Sequence, residues 1–208
     1  MKGIYIVILS LGVVLIGCTK KQAMNLPIAP KVMGPLPEIP NTTVSKSALH
    51  YDPQTSLWTW NEQLFSGYAV RFHPDSTLQE KIGLLNGRKQ NQAIQWYPDG
   101  AYKQMATYDQ GKLHGEKKLW SPEPNHILLA HLHYHTGKAH GEQKKWYPSG
   151  ELFKKLTLNM GREEGIQQAY RKNGALFANY EARDGRIFGL KRAALCYGLE
   201  DEKIQSDQ

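Results

Sequence analysis

Two stretches of the chain are near copies, Gly111-Lys-Leu-His-Gly-Glu-Lys-Lys-Leu-Trp120 and Gly137-Lys-Ala-His-Gly-Glu-Gln-Lys-Lys-Trp146. In each stretch a second glycine follows four positions after the first, and a tryptophan follows nine positions after it. Similar segments at a nearly fixed spacing are typical of repeat proteins, in which each repeat is one small unit that packs against its neighbours. The sequence therefore predicts a repeat architecture.

The same register extends in both directions from these two stretches. The opening glycines are spaced by 24, 26, 24 and 24 residues, and they are Gly87, Gly111, Gly137, Gly161 and Gly185. The second glycines are Gly115, Gly141, Gly165 and Gly189, and Asn91 takes this place in the first unit. The aromatic positions are Trp96, Trp120, Trp146 and Tyr170. Gly67 and Phe72 fit an earlier unit that starts near Gln63.

Each unit has the pattern of a β-hairpin. We expect a strand of about six residues from the second glycine to the aromatic residue, and then a Pro-x-Gly turn. A second strand returns to the next opening glycine, as in residues 101–108 or 152–158. Residues 121–126 interrupt this pattern in the third unit. The predicted fold is all-β: tandem 24-residue hairpins form an elongated, twisted antiparallel sheet, and the repeated aromatic residues stack to supply its core.

The pattern Gly-x-x-x-Gly-x-x-x-x-Trp-Tyr-x-x-Gly resembles MORN repeats. It is most similar to the degenerate variant found in bacterial proteins described as YwqK-type antitoxins. The resemblance covers roughly residues 63–196, with departures at the third turn and in the weak first unit. It implies an extended repetitive sheet and a role in interaction. The segment from Gly185 to Tyr197 is expected to cap the array rather than to form a full repeat.

The N-terminus has the pattern of a lipoprotein signal peptide. Lys2 is followed by an uncharged, apolar run that ends in Leu15-Ile16-Gly17-Cys18. That run is shorter than the roughly 20 residues of a membrane-spanning helix and fits the apolar region of a signal peptide. Its end resembles the lipobox, which implies cleavage before Cys18 and acylation of its thiol. The alternative is an uncleaved anchor helix. Thr19 after the cysteine implies, by the same resemblance, the outer membrane if the source is Gram-negative.

The predicted organisation has four parts. Residues 1–17 are the signal peptide, and residues 18–48 are the lipidated N-terminus with a proline-rich linker. Proline fixes φ and lacks an N–H donor, so this linker is expected to be an extended spacer. The repeat domain covers residues 49–198, and a polar tail covers residues 199–208.

The formal net charge of +7 favours acidic partners in general without selecting one. Three lysine pairs fall on predicted strands, so stacked repeats could present a basic stripe to anionic lipid or to an acidic polymer. A plain solvated strand face is the alternative. The pairs are Lys117-Lys118, Lys144-Lys145 and Lys154-Lys155.

Histidines are concentrated between His114 and His140. His131, His133 and His135 alternate, so on a strand they share one face, about 6.5–7 Å from one neighbour to the next. Imidazole suits zinc, copper and nickel, and two of the three histidines could join a ligand from a neighbouring strand. A solvated polar face is the alternative. His114 and His140 precede the second glycines and are interpreted as turn residues. Cys196 is expected to be buried, with reactivity or metal binding as alternatives.

The sequence contains no His-Glu-x-x-His, Gly-x-Ser-x-Gly or Cys-x-x-Cys motif. The leading hypothesis is therefore a non-enzymatic, lipid-anchored scaffold of the cell envelope that needs no cofactor and binds a protein or a membrane surface. The alternative is an envelope metal-binding protein that uses His131, His133 and His135, and an enzyme on a repeat scaffold is a third hypothesis. Nucleic acid is disfavoured as a partner because the domain is expected outside the cytoplasm. The oligomeric state stays open, since exposed sheet edges invite pairing.

Overall fold

The computed structural model describes residues 37–190, 197–200 and 203–206. The predicted signal peptide, Cys18, most of the predicted linker and Cys196 lie outside these residues. Contacts divide the chain into two units, residues 1–32 and 33–208, and all of the described residues belong to the second unit. Within the described ranges the secondary structure is strand, apart from one 3-10 turn at Lys46–Ala48. The predicted all-β class is confirmed.

The strands are numbered in chain order. They are β1 (Thr43–Ser45), β2 (His50–Asp52), β3 (Leu57–Trp60), β4 (Gln63–Leu64), β5 (Gly67–Phe72), β6 (Leu78–Leu85), β7 (Arg88–Trp96), β8 (Tyr102–Asp109), β9 (Lys112–Trp120), β10 (Leu128–His135), β11 (Lys138–Trp146), β12 (Leu152–Asn159), β13 (Arg162–Tyr170), β14 (Leu176–Arg183), β15 (Arg186–Leu190), β16 (Tyr197–Glu200) and β17 (Lys203–Ser206).

One long sheet contains most of these strands. From β5 to β15 each strand pairs antiparallel with the next strand in the chain, as tandem hairpins require. β1 adds to the β5 edge in parallel. β2, β3 and β4 form a separate three-stranded sheet, and β16 pairs with β17. The predicted tandem hairpin sheet is therefore confirmed.

The opening glycines lie in two-residue turns that are tighter than expected. Gln110 and Gly111 have φ values of 46° and 83°, and the residues that flank them, Asp109 and Lys112, pair directly. Positive φ at both central residues defines the type I′ turn, whose twist matches that of the flanking strands. The following strand therefore starts immediately after the opening glycine. The prediction of a six-residue strand from the second glycine was wrong, because these strands have nine residues.

The second glycine lies inside the strand as part of a bulge. Gly115 has a φ of 95°, and the β8–β9 register shifts by two residues between the pairs Tyr108–Leu113 and Ala106–Lys117. Equivalent shifts occur in the β6–β7, β10–β11 and β12–β13 pairs. A bulge places extra residues on one strand and leaves a backbone group of the partner strand without its ladder bond. The repeated glycine therefore marks a recurrent bulge rather than a strand start.

Glutamine side chains fill the hydrogen-bonding gap at two of these bulges. The Nε2 atom of Gln143 donates to the carbonyl oxygen of His133 at 2.8 Å. In the next repeat, Nε2 of Gln167 donates to the carbonyl oxygen of Thr157 at 2.6 Å. Both glutamines are buried, as expected for amides that satisfy a buried backbone group.

Two sets of hydrogen bonds join successive hairpins. At four of the type I′ turns, those of Gly87, Gly111, Gly137 and Gly161, the N–H of the opening glycine donates to a carbonyl of the preceding repeat, as from Gly137 to Leu113 at 2.7 Å. At the opposite end, the hydroxyl of Tyr97 donates to the carbonyl of Trp120 at 2.8 Å, and Tyr147 donates to Tyr170 at 2.9 Å. These contacts fix neighbouring repeats in register independently of the strand ladders.

The two faces of the long sheet differ in burial. One face, here called the alanine face, contains a cross-strand row that is largely buried: Ala69, Ile82, Ala93, Ala106, Lys117, Leu132, Gln143, Leu156, Gln167 and Tyr180. The core cluster lies at its start, where Phe65, Ile82 and Leu84 pack together. The repeated aromatic residues lie elsewhere and are only half-buried. The expectation that they supply the core was wrong.

Both ends of the repeat array carry structure that the sequence had assigned differently. Thr43–Ser45 falls in the predicted linker but forms β1. An ion-pair network secures this segment, because the ammonium of Lys46 lies 2.6 Å from the carboxylate of Glu80, which is only 5% exposed and also contacts Arg71 at 3.3 Å. At the other end, β16 and β17 occupy part of the predicted polar tail.

Candidate functional site

The aromatic positions form a continuous apolar band on the face opposite the alanine face. Each aromatic residue pairs directly across its hairpin with a second apolar residue, and paired residues share a face. The pairs are Phe72–Leu78, Trp96–Tyr102, Trp120–Leu128, Trp146–Leu152 and Tyr170–Leu176. We call this surface the aromatic face and these ten residues the aromatic band.

Three side chains of the aromatic band are exposed and the other seven are partly buried, and ring contacts join three of the ten. The ring centroids of Trp96 and Tyr102 lie 6.2 Å apart, and those of Tyr102 and Trp120 lie 5.7 Å apart. One hairpin therefore contacts the next through Tyr102 and Trp120. Phe72 is 56% exposed, and Tyr102 and Leu176 are each 46% exposed. Aromatic side chains with rigid, accessible surface are enriched in protein interfaces.

Each lysine pair places one side chain on each face of the sheet, so the predicted row of lysines along one face is present. Lys118, Lys144 and Lys155 lie in one cross-strand row of the aromatic face, with His131 between the first two. Lys145 and Lys154 pair with each other on the alanine face.

Acidic side chains balance the lysines of the aromatic face. The ammonium of Lys118 lies 2.7 Å from Glu116, and Glu142 contacts Lys144 at 2.6 Å and Lys155 at 3.4 Å. The hydrogen bond from Lys118 is the main cause that lowers the pKa of Glu116, and the hydrogen bond from Lys144 lowers the pKa of Glu142. Both carboxylates are ionised at neutral pH, so this row carries little net charge.

The three alternating histidines do not converge on one point. The imidazole rings of His131 and His133 lie 4.6 Å apart on the aromatic face. His135 lies instead near the type I′ turn, with its ring 4.7 Å from that of His114 and 5.8 Å from that of His140. His114 accepts a hydrogen bond from the N–H of the turn residue Thr136 at 3.4 Å. His114 and His140 nevertheless lie inside β9 and β11, so the interpretation of them as turn residues was wrong.

A carboxylate that the sequence did not single out as a ligand completes the group around His131 and His133. Glu116 pairs directly with His133 across β9 and β10, one step along from the Lys118–His131 pair. Its Oε1 atom lies 3.2 Å from Nε2 of His131 and 3.7 Å from Nε2 of His133. The potential ligand atoms of the three residues all lie within 4.8 Å of one another. Within the described ranges, this is the one group of three or more such residues.

One contact indicates the tautomer of His133. The Nδ1 atom of His133 lies 2.6 Å from the carbonyl oxygen of Glu142. Because a carbonyl only accepts, Nδ1 carries the proton, and Nε2 of the neutral ring keeps its lone pair. Nε2 of His131 is buried and lacks an aligned hydrogen bond despite its closeness to Glu116. Burial lowers the pKa of His131, against the opposing charge of Glu116.

Comparison with known proteins gives this chain no family. No known family matches it, and no curated protein is a significant relative. In the part of the chain that the structure describes, no helix is long and apolar enough to cross a membrane.

Proposed function

We propose that this chain is a non-enzymatic scaffold of the cell envelope, anchored through a lipid on Cys18, that binds a protein partner through the aromatic band. The observation that carries the proposal is the band itself, in which paired apolar side chains repeat along the long sheet on an accessible face. A contiguous exposed apolar surface of this kind marks an interaction site. The resemblance to MORN repeats supports the same role.

The charge pattern favours a protein over a membrane surface as the partner. Anionic lipid attracts clusters of unpaired basic residues close to the surface. The lysines of the aromatic face are instead paired with Glu116 and Glu142. Aromatic residues with balanced charges around them are the composition of a protein interface.

The expected export rests on the first 18 residues. Lys2, the apolar run and the lipobox-like Leu15-Ile16-Gly17-Cys18 support a lipid anchor. Stable anchoring needs more than one acyl chain or a second signal. Metabolic labelling with palmitate is expected to mark the wild-type chain and not the Cys18→Ser variant. Equal labelling of both chains would overturn the anchor.

Site-specific photo-crosslinking in intact envelopes tests the partner. A photoreactive residue at position 102 or 176 samples the aromatic band, and the same residue at exposed position 145 on the alanine face is the matched control. We expect one discrete protein adduct from positions 102 and 176 and none from position 145. Adducts with lipid alone would identify a membrane-binding surface instead. Equal protein adducts at all three positions, or none at any, would remove the proposal.

A further inference from the structure

Beyond the scaffold role, we propose that Glu116, His131 and His133 bind a single divalent late-transition-metal ion of the zinc class. The sheet brings the three residues together from two adjacent strands. Glu116 and Lys118 alternate on β9, and His133 and His131 pair with them on β10. The site therefore lies on ladder positions of rigid strands, which hold ligands more precisely than loops do.

The distances fit a small tetrahedral centre. Zinc binds imidazole nitrogen and carboxylate oxygen at about 2.0–2.2 Å, so adjacent ligand atoms in a tetrahedron lie about 3.3–3.5 Å apart. Oε1 of Glu116 lies 3.2 Å and 3.7 Å from the Nε2 atoms of His131 and His133. The potential ligand atoms of the two histidines lie within 4.8 Å of each other, so the imidazoles must move closer together for both to coordinate one ion. The fourth position remains for water or another ligand.

The hydrogen bonding and burial of the two imidazoles favour metal binding. A ligating histidine usually donates its other ring N–H to a carbonyl or carboxylate, which fixes the tautomer. The contact of His133 Nδ1 with the carbonyl of Glu142 at 2.6 Å has this form. Nε2 of His131 is buried without an aligned partner, which is a free-energy cost that a metal ion would remove. Two imidazoles with one carboxylate are a donor set for zinc, copper or nickel, and not for magnesium or calcium.

Among the residues that the structure describes, Lys118 is the one lysine or arginine paired with the carboxylate of Glu116. It lies 2.7 Å from Oε2 of Glu116, whereas the two histidines face Oε1. The lysine therefore pairs with Oε2, and Oε1 is left to bind a metal ion as a monodentate ligand. It also orients the carboxylate in the same way that a hydrogen-bonded neighbour orients a metal ligand.

The next repeat provides an internal comparison. Glu142 occupies the same repeat position as Glu116, but its partners across the strand pair are Thr157 and, one step along, Lys155. There the two histidines are replaced by a hydroxyl and an ammonium, and the carboxylate pairs with lysines. The same backbone position therefore carries a salt bridge in one repeat and a metal-ligand set in the preceding one.

The test is titration of the untagged full chain with Zn²⁺ in the presence of a competing chelator. We expect one ion per chain at this site with a Kd tighter than about 1 µM. His131→Ala and His133→Ala are expected to weaken binding by more than about 100-fold, because even outer partners of metal ligands are worth 10–100-fold. Glu142→Gln is the matched control for Glu116→Gln: it changes only the side chain, keeps the backbone carbonyl that His133 contacts, and is expected to leave affinity within about threefold.

His135→Ala distinguishes this site from the set of three alternating histidines. Because the ring of His135 lies with His114 and His140, its removal is expected to leave zinc affinity unchanged. An equal loss in His135→Ala and His131→Ala, or unchanged affinity in His131→Ala and His133→Ala, would overturn the proposal. X-ray absorption of the zinc-loaded wild type gives a second readout that needs no variant. Two imidazole nitrogens are expected in the shell, and a shell without imidazole would overturn the site.

Discussion

Replacement of Gln143 by methionine tests whether the bulges depend on the buried amides. Gln143 is 4% exposed, and its Nε2 atom donates to the carbonyl oxygen of His133 at 2.8 Å. Methionine keeps a similar length and volume but has no donor, so a cavity adds little to the effect. The carbonyl of His133 then lies at the bulge without this partner. Leaving a buried acceptor unsatisfied costs about 1–3 kcal/mol.

Equilibrium unfolding in urea of the purified chain measures this cost as a shift in the midpoint at constant m-value. Tryptophan fluorescence and far-UV circular dichroism must give coincident transitions for the free energy of unfolding to be defined. At 2 kcal/mol, the expected fall in Tm is about 4–8 °C for a domain of this size. Gln92→Met is the control, because Gln92 lies exposed two repeats earlier and such changes usually stay within about 0.5 kcal/mol. A Gln143→Met chain as stable as wild type would refute the role given to the amide.

Two further predictions concern contacts that join the array. The pKa of Glu80 lies below its usual value: burial opposes ionisation most strongly, but hydrogen bonds from Lys46 and Gln95 and nearby cations outweigh it. The carboxylate of Glu80 therefore stabilises the fold at pH values above its pKa in the unfolded chain, which is about 4.3. This stabilisation is lost as the pH falls through the lower pKa that Glu80 has in the folded chain. We expect Glu80→Gln to be less stable than wild type at pH 7, with a gap that narrows below about pH 4 in urea unfolding. Tyr147→Phe removes the hydroxyl that donates to the carbonyl of Tyr170. We expect this variant to lower the free energy of unfolding by about 1 kcal/mol in the same assay. No loss of stability would mean that water replaces the hydroxyl.

The hairpin repeat could be predicted from the sequence because its strongest signals are local. The glycines, the Pro-x-Gly turns and the spacing of the aromatic residues each constrain a few neighbouring residues, and they recur often enough to fix the register. The position of the second glycine was misinterpreted for a physical reason. A glycine with positive φ suits a strand start, a turn or a bulge equally well, and only the pairing of β8 with β9 shows which of these Gly115 adopts.

The assignment of faces needed the structure. Alternation predicts that residues two apart share a face, but it does not say which face is crowded. The buried rows contain alanine and glutamine, which a hydrophobic pattern does not identify as core. β1 was missed for a related reason, because its three residues have no repeat partner and its pairing with β5 spans a long separation in sequence.

The candidate metal ligands could be predicted from the sequence only in part. His131 and His133 were predicted from their alternation along one strand, a local signal. Glu116 could be found only from the cross-strand register, because β9 and β10 are joined by the lengthened loop that interrupts the repeat. The prediction grouped His135 with His131 and His133 because the three alternate along the strand. Alternation does not show that His135 lies next to the turn, where its ring contacts His114 and His140 instead.

Positions that recur in every repeat carry the fold, and positions that change between repeats are free to carry function. The opening glycines and the aromatic residues keep their roles from hairpin to hairpin, since each maintains a turn or the aromatic band. On the aromatic face, by contrast, the four side chains around the middle of each hairpin vary, although the Glu and Lys of the first strand recur in two of the three sets. They are Gln92, Ile94, Met105 and Thr107, then Glu116, Lys118, His131 and His133, then Glu142, Lys144, Lys155 and Thr157. One of these three sets has the donor atoms of a metal site. The residues that decide what this chain binds are therefore expected at these four positions of each hairpin, which vary between repeats.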